Sequence, residues 1–285
     1  RKKVKFKAHK SRGVRRTYVR RSDFEMQRNV EIGLFTELSS LHETGNMKIL
    51  ITGATSGIGR QLALDYHAEG HDVWALGRSR DRLAALAAVG LKTGEVDLMD
   101  REATLNWFSR LDVIDLAILS AGSCEYIDMP AFDSALLSRV MRVNVETMAH
   151  SIEALLPLLR RSKTPHLVGI GSSAAYLPLP RAEAYGASKA AVAYLLKTLR
   201  ITLFKEKIAV SLVCPGFVRT PLTDRNDFPM PFLVSSAQAS RVIRRGIARR
   251  RPEIHFPRRF TYLLKALSLL PGAVWLRLAQ GMIRS

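Results

Sequence analysis

Short apolar runs alternate with longer stretches of helical periodicity through most of the chain. The apolar runs predict buried strands at residues 47–52, 72–76, 91–96, 113–119, 166–170, 208–213 and 253–256. The longest helical pattern covers residues 135–159. Strands that alternate with helices predict an α/β fold, here one domain with a doubly wound parallel sheet and helices on both faces.

The residues that follow the predicted strands carry the candidate chemistry. In a doubly wound sheet, ligands bind in a crevice beyond the carboxyl ends of the strands. The predicted wall of this crevice consists of residues 53–59, Arg78, Asp97, residues 120–122, Ser172 and residues 215–220. These segments lie far apart in the chain, so the prediction is that folding brings them together.

A glycine-rich turn joins the first predicted strand to a helix. Residues 53–59 read Gly-Ala-Thr-Ser-Gly-Ile-Gly, and a helical pattern starts at Arg60. Glycines let the backbone approach a pyrophosphate without Cβ clashes, and the N-terminus of a helix favours a negatively charged group. A glycine triplet alone is a weak signal, but between a strand and a helix it predicts a dinucleotide site.

The end of the second predicted strand indicates which dinucleotide is bound. An acidic residue there would hold the 2′-hydroxyl of the NAD ribose, but none occurs before Asp81. Arg78 follows the strand, and its guanidinium can take a 2′-phosphate through two hydrogen bonds. We therefore predict NADP rather than NAD. The alternative is that Arg78 is an ordinary solvated surface residue.

Tyr185 and Lys189 are candidates for general acid/base chemistry. They stand four residues apart in a segment of helix-forming residues, so they lie one turn apart on the same helix face. A nearby cation stabilises a phenolate and lowers the pKa of a tyrosine below its usual value of about 10. The pair can then exchange a proton with a substrate. Tyrosine and lysine are common, however, and the same spacing can arise by chance.

The charge of the chain is concentrated at its two ends. The formal net charge is +19; residues 1–46 contain 12 basic and 5 acidic residues, and residues 241–285 contain 11 and 1. Hydrophobic residues make up 47% of the chain, enough for a full core. Two cysteines, Cys124 and Cys214, form no disulfide framework and match no metal motif. We therefore predict no metal site and a reducing, cytoplasmic location.

Residues 1–46 differ from the remainder of the chain. The first 22 residues contain 11 basic and no acidic ones, with little apolar periodicity. We expect this basic extension to be disordered or loosely helical. It could contact anionic lipid, it resembles an arginine-rich transit peptide, or it is not native to this protein, since Met47 can begin a complete domain. Neither a secretory signal peptide nor specific nucleic-acid binding is predicted.

Residues 257–285 form a basic and apolar C-terminal segment. Arg258 and Arg259 precede apolar stretches at residues 262–270 and 273–278, which Pro271 and Gly272 separate. Each stretch is shorter than the roughly 20 residues that a membrane span needs, so no transmembrane helix is predicted. Two alternatives stay open. The segment is a peripheral membrane anchor, or its leucines pack on the domain or on a partner subunit.

Several motifs in register resemble the short-chain dehydrogenase/reductase family. They are residues 52–59, Asn144, Ser172, the Tyr185–Lys189 pair, and residues 215–220. Ser172 lies 13 residues before Tyr185 and Asn144 lies 41 before it, as is usual in close members. The resemblance covers residues 47–256, and it implies that they form a Rossmann-type catalytic domain.

The resemblance implies a role for each of these residues. Tyr185 would exchange a proton with the substrate oxygen, Ser172 would hydrogen-bond that oxygen, and Lys189 would lower the pKa of Tyr185. Asn144 would hold a water that passes protons from Lys189. The implied cofactor-binding residues are Gly53, Thr55, Ser56, Gly57, Ile58, Gly59, Arg78, Asp97, Ser120, Ala121, Gly122, Tyr185, Lys189, Pro215, Gly216, Val218 and Thr220.

The implied activity is hydride transfer between NADP(H) and a carbonyl or alcohol. Phe228, Met230, Phe232 and Leu233 make the loop at residues 222–234 apolar, which favours a hydrophobic substrate. The other expected pocket residues are Cys124, Tyr126, Tyr176 and Leu177. The alternative function is a non-catalytic nucleotide sensor or scaffold on the same fold.

The resemblance also implies a homo-oligomer. Members of the family commonly pair through the helices that here carry Asn144 and Tyr185. Leu195 and Leu199 are apolar residues of the second helix that would permit such pairing.

Overall fold

The computed structural model describes residues 45–282. The predicted basic extension lies outside the described residues, except for Gly45 and Asn46. The strands are β1 (Lys48–Thr52), β2 (Asp72–Gly77), β3 (Lys92–Glu95), β4 (Leu116–Leu119), β5 (His166–Ile170), β6 (Ala209–Pro215), β7 (Val218–Arg219), β8 (Val234–Ser235) and β9 (Glu253–Phe256). Seven of them correspond to the predicted strands, with ends that shift by up to three residues.

These seven strands form one parallel sheet in the order β3-β2-β1-β4-β5-β6-β9, while β7 and β8 pair separately. The chain moves outward from β1 in one direction as far as β3 and then crosses back to β4. The carboxyl ends of β1 and β4 therefore meet where the strand order reverses, which is where doubly wound sheets bind ligands. The predicted fold class is confirmed.

The helices cover both faces of the sheet. They are α1 (Gly57–Ala68), α2 (Arg80–Ala87), α3 (Arg101–Phe108), α4 (Ser134–Met141), α5 (Thr147–Leu159), α6 (Glu183–Thr202), α7 (Ser236–Ala248), α8 (Arg258–Leu267) and α9 (Gly272–Gln280). Buried strand residues alternate between the faces, as the strand period of two requires. Leu50 packs in one core cluster with Leu155 and Leu196, while Ile49 and Ile51 pack in the other.

The helix predicted at residues 135–159 contains a turn of different geometry. Between α4 and α5, residues Arg142–Glu146 form a π-helical turn, in which the Thr147 N–H donates to the carbonyl of Arg142. The Thr147 hydroxyl donates to the Val143 carbonyl at 2.7 Å. Periodicity could not reveal this wide turn, because its flanks keep the helical spacing. Such turns recur at functional sites, and this one contains Asn144.

The C-terminal segment folds into α8 and α9 and belongs to the same compact unit as the sheet. Thr261 of α8 and Trp275 of α9 are buried. Leu263, Leu269, Leu276 and other apolar residues of the segment are exposed. None of the helices within residues 45–282 is long and apolar enough to cross a membrane.

Candidate active site

A crevice of about 550 Å³ opens at the carboxyl ends of the strands. Almost all the predicted cofactor-binding residues line it. They are Gly53, Thr55, Ser56, Gly57, Ile58, Arg78, Asp97, Ser120, Ala121, Gly122, Tyr185, Lys189, Pro215, Gly216, Val218 and Thr220. Thr52 joins the two central strands here, because its hydroxyl accepts the N–H groups of Ser120 and Ala121 at 3.1 and 3.3 Å. Folding therefore assembles the predicted wall.

Two glycines of the turn between β1 and α1 are required for different reasons. Gly53 has a φ of +64°, and a Cβ there would lie 2.7 Å from the backbone N of Ala121. Gly59 does not line the crevice; a Cβ there would lie 2.5 Å from the Gly53 carbonyl oxygen. Gly53 thus allows β1 and β4 to approach at the crevice, while Gly59 lets α1 pack closely against the turn.

A cationic corner lies at the end of β2. Arg78, Ser79 and Arg82 all line the crevice there. Arg80, in contrast, forms an ion pair with Glu95 at 2.7 Å and does not line it. Of these three residues, the sequence predicts only Arg78 as part of the site. The signal was available for Arg82, because it stands four residues after Arg78, in the first turn of α2.

Tyr185 and Lys189 lie one turn apart on α6, as predicted. The Lys189 Nζ is 5.7 Å from the centroid of the Tyr185 ring and donates to the Ile170 carbonyl at 3.1 Å. Lys189 is buried, and burial lowers its pKa to about 8. The ammonium group is thus held at the base of the crevice, where it is close to the tyrosine but poorly solvated.

The electrostatic environment of Tyr185 differs from the prediction. Although the side chain keeps some exposure at the crevice wall, burial raises its pKa above the usual value. Cys124 raises it further, while a hydrogen bond with Ser172 lowers it. Burial is the largest cause of this shift, and the lowering by Lys189 that the sequence predicts is not among its causes.

Ser172 caps the short 3-10 turn Ser173–Ala175 after β5. Its hydroxyl accepts the N–H of Ala174 at 3.1 Å, and its side chain lines the crevice. Ser173, the neighbouring hydroxyl, is buried and does not line it. Of the two serines, Ser172 alone faces the crevice with Tyr185 and Lys189.

Asn144 is buried behind the crevice wall. Its Nδ2 donates to the Ser188 hydroxyl at 2.8 Å and to the Ser123 carbonyl at 3.0 Å, and its Oδ1 accepts the Ser123 N–H at 2.7 Å. Both amide protons are therefore used within the protein. Asn144 thus connects α6 to the segment after β4. A water bound to Asn144 must donate to the remaining acceptor position of its Oδ1.

Ser123 is a further polar residue of the wall that the sequence analysis missed. It lines the crevice, and its Oγ is buried without a hydrogen-bond partner among the described residues. A buried hydroxyl of this kind calls for a partner. Its position directly after residues 120–122 was the available signal. No cluster of three metal-ligating side chains occurs within residues 45–282.

The expected substrate residues divide into two groups. Leu222, Thr223 and Arg225 line the crevice. The other expected residues do not, namely Cys124, Tyr126, Tyr176, Leu177 and the apolar loop residues Phe228, Met230, Phe232 and Leu233. An aromatic cluster adjoins this side. The ring centroids of Tyr126 and Phe228 are 5.4 Å apart, those of Phe228 and Phe217 6.1 Å, and those of Phe217 and Phe260 5.6 Å.

Comparisons with known proteins agree with this fold. The family model of the short chain dehydrogenases matches residues 47–228. An uncharacterized oxidoreductase of Myxococcus xanthus is 33% identical over 236 residues, which cover 79% of this chain and 93% of the relative. The 11-beta-hydroxysteroid dehydrogenase 1A of Arabidopsis thaliana is 30% identical over 254 residues, covering 77% of this chain and 71% of that protein.

A solved structure gives the same result. A short-chain dehydrogenase of Sphingobium yanoikuyae, in complex with NADPH, matches with a TM-score of 0.69 and 27% identity, over 80% of this chain and 97% of that one. The chain therefore belongs to the short chain dehydrogenase family, a family of oxidoreductases with a Rossmann-type nucleotide-binding fold.

Proposed function

We propose that this protein transfers a hydride between NADP(H) and the carbonyl or alcohol group of a hydrophobic substrate of small to medium size. The observation that carries the proposal is the convergence of Ser172, Tyr185 and Lys189 at one wall of the crevice. A non-catalytic nucleotide sensor would need the glycine turn but not these three side chains.

The residues of the crevice fit a dinucleotide. The turn that contains Gly53 brings backbone and the hydroxyl residues Thr55 and Ser56 to the N-terminus of α1, where the helix dipole favours a pyrophosphate. Asp97 would meet the adenine ring, and Val218 and Thr220 would hold the carboxamide. When bound, the nicotinamide supplies or accepts the hydride.

The chain's own residues would handle the proton. In reduction, Tyr185 would give the proton of its hydroxyl to the substrate oxygen as that oxygen gains negative charge. Ser172 would donate a hydrogen bond to the same oxygen. Lys189 would stabilise the phenolate that remains and replenish its proton. In oxidation, each proton moves the opposite way.

The choice of NADP rests on residues around the end of β2. Arg78 and Arg82 line the crevice, and neither forms an ion pair with a described carboxylate. A 2′-phosphate offers oxygen atoms that two guanidinium groups can bind. Membership of the family leaves the choice between NADP and NAD open, so these arginines are the support for NADP.

Replacement of Tyr185 by phenylalanine tests the reaction. Turnover of NADPH with a panel of apolar carbonyls should fall about 10³-fold, because the proton donor is lost. The dissociation constant for NADPH should change less than about twofold, since the ring remains. Tyr194→Phe is the matched control on the same helix, because its side chain is 77% exposed. Normal turnover by Tyr185→Phe would overturn the mechanism.

Binding and turnover assays on the native protein distinguish the proposed function from the alternative. A nucleotide sensor or scaffold would bind NADPH tightly and yet reduce no carbonyl and oxidise no alcohol of a broad panel. Turnover by the native chain rejects that alternative.

We also propose a cytoplasmic location with peripheral contact to anionic membranes. A basic groove of about 580 Å³ is lined by Arg241, Arg245, Arg249, Arg251 and Arg258, none with an ion-pair partner among the described residues. Leu269 and Leu276 of the adjoining segment are 85% and 58% exposed. Basic residues beside exposed leucines suit an interfacial contact. Cys124 and Cys214 are both free thiols, which suits a reducing compartment.

Sedimentation with liposomes tests the membrane contact. The native chain should sediment with vesicles that contain phosphatidylserine and not with neutral vesicles, and salt should weaken the binding. The double variant Leu269→Asp, Leu276→Asp should lose it. Val89→Asp should not, because Val89 is 55% exposed but lies on the turn after α2. No sedimentation of the native chain at low salt would reject the contact.

We also propose that the chain self-associates. Tyr194, Ile201 and Phe204, on α6 and the turn after it, are 77%, 77% and 60% exposed and could pair with a second copy. Leu195 and Leu199, which the sequence analysis named, pack partly against the core. Light scattering on a sizing column should show a dimer or larger species at micromolar concentration. A monomer would contradict this.

A further inference from the structure

The loop between Ser172 and α6 is hydrogen-bonded to β9 and to the C-terminal segment. The loop leaves β5, forms the short turn Ser173–Ala175 and continues through Tyr176 and Pro178 to the start of α6. Two side-chain contacts reach it from distant parts of the chain. One arises at β9 and α8, and the other at α9.

The first contact is a chain of hydrogen bonds. The Tyr176 hydroxyl lies 3.1 Å from His255 Nδ1, and His255 Nε2 lies 3.0 Å from Glu253 Oε2. The same carboxylate oxygen accepts from Lys265 Nζ of α8 at 2.8 Å, and Lys197 of α6 lies 3.3 Å from the other oxygen. Glu253 thus connects α6, α8 and the loop.

The direction of these bonds follows from the charges. The hydrogen bond from His255 and the two lysines lower the pKa of Glu253, so it is an acceptor only. His255 therefore carries a proton on Nε2, and its Nδ1 pairs with the Tyr176 hydroxyl. The Tyr176 oxygen also faces the thiol of Cys214. The hydroxyl is therefore held from both sides, four residues after Ser172.

The second contact comes from α9. The Trp275 Nε1–H donates to the Pro178 carbonyl at 3.0 Å, and Trp275 is 8% exposed. The donor and acceptor residues are 97 positions apart in the chain. A loop carbonyl that would otherwise be free to move is bonded to a buried ring.

We infer that β9 and the C-terminal segment together form a brace that positions the Ser172 loop for catalysis. His255 and Glu253 of β9, with Tyr176 of the loop, are its positioning residues, and Trp275 of α9 is a second point of attachment. The inference rests on the proposed function, in which Ser172 hydrogen-bonds the substrate oxygen. The side-chain hydrogen bonds of Tyr176, His255, Glu253 and Trp275 reach none of the predicted cofactor-binding residues, so cofactor affinity should not depend on these bonds.

The substitution Tyr176→Phe removes one hydroxyl from the brace and keeps the ring. The kcat should fall about 5- to 10-fold, because the variant loses the free energy of roughly one hydrogen bond that positions the loop. The dissociation constant for NADPH should stay unchanged. Tyr262→Phe is the matched control, because the Tyr262 ring stacks on the same His255 with centroids 5.1 Å apart, and its hydroxyl has no hydrogen bond to a described residue. Equal kcat for Tyr176→Phe and the native chain would overturn the inference.

Hydrogen exchange provides a readout that does not need activity. The amides of residues 172–182 in the full chain should exchange faster in Tyr176→Phe and in Trp275→Phe than in the native protein or in Tyr262→Phe. Unchanged exchange in both variants would reject the brace. If the native chain has no turnover but the exchange rates change as expected, the proposed function fails and the brace stands. If the native chain turns over substrate but exchange is unchanged in both variants, the brace fails and the proposed function stands.

Discussion

The glycine turn of the crevice and the C-terminal segment reach their final positions in different ways. In the turn, backbone meets backbone: Gly53 approaches Ala121, and Gly59 approaches the Gly53 carbonyl, at distances that no Cβ would allow. In the C-terminal segment, side chains make the contacts, as in the bonds from Trp275 to Pro178 and from Lys265 to Glu253. Close backbone approach restricts the residue type to glycine. A helix that carries leucine on more than one side can instead be oriented in several ways.

The largest expected effect is that of Gly53→Ala. The new Cβ would lie within 2.9 Å of three backbone atoms of Ser120 and Ala121, at a φ of +64°. Backbone cannot move aside as a side chain can, so we expect a loss of more than about 3 kcal/mol in the free energy of unfolding and no detectable binding of nucleotide. Gly272→Ala is the control, because nothing lies within 4 Å of its Cβ position. Urea denaturation measures the free energy of unfolding, and NADPH fluorescence measures nucleotide binding. Wild-type values for Gly53→Ala would contradict the requirement for glycine at this position.

The next effect concerns the buried ring of the C-terminal segment. Trp275→Ala leaves a cavity and an unbonded Pro178 carbonyl, which should cost about 3 kcal/mol. The neighbouring Leu276→Ala should cost less than about 0.5 kcal/mol, since Leu276 is 58% exposed. Urea denaturation followed by limited proteolysis of the C-terminus would measure the difference. Similar costs at the two positions would show that the segment does not pack as described.

Replacement of Arg78 should change the free energy of NADPH binding by less than replacement of Gly53 changes the free energy of unfolding. Arg78→Ala should weaken NADPH binding by about 2 kcal/mol, or roughly 30-fold, through loss of charge-assisted hydrogen bonds, and should leave NADH binding within about twofold. Arg80→Ala is the control on the same turn, because Arg80 pairs with Glu95 outside the crevice. Titration calorimetry with both cofactors provides the measurement. Equal affinity of the native protein for NADPH and NADH would contradict the assignment.

The smallest effect is the pH dependence of stability that Lys189 confers. Burial lowers its pKa from 10.5 to about 8, so between these pH values the unfolded chain binds more protons than the folded one. Stability therefore rises with pH in this window; below pH 8, both states are protonated and the cost of burying the charge remains. Relative to Lys189→Met, the nucleotide-free native protein should gain about 1 kcal/mol between pH 8 and pH 9. A constant difference across this range would show that the ammonium is not desolvated.

The sequence alone determined the α/β architecture and most of the crevice wall. Both follow from local constraints: strand and helix periodicities differ, parallel strands place their carboxyl ends at one edge, and the turns at that edge require glycine or small polar residues. Arg78, Ser172 and the Tyr185–Lys189 pair could be named because each has a fixed distance along the chain from a recognisable element.

Tertiary structure alone decided the features that depend on distant partners. The π-helical turn Arg142–Glu146 contains Asn144, which bonds to Ser123 and Ser188, and periodicity reveals neither the turn nor these partners. The pKa of Tyr185 rises mainly because of burial, which is a property of the assembled crevice. Tyr176 was expected in the substrate pocket, but it bonds to His255, 79 positions away in the chain. Hydrogen bonds and burial of this kind depend on three-dimensional neighbours, which the order of residues specifies only through the complete fold.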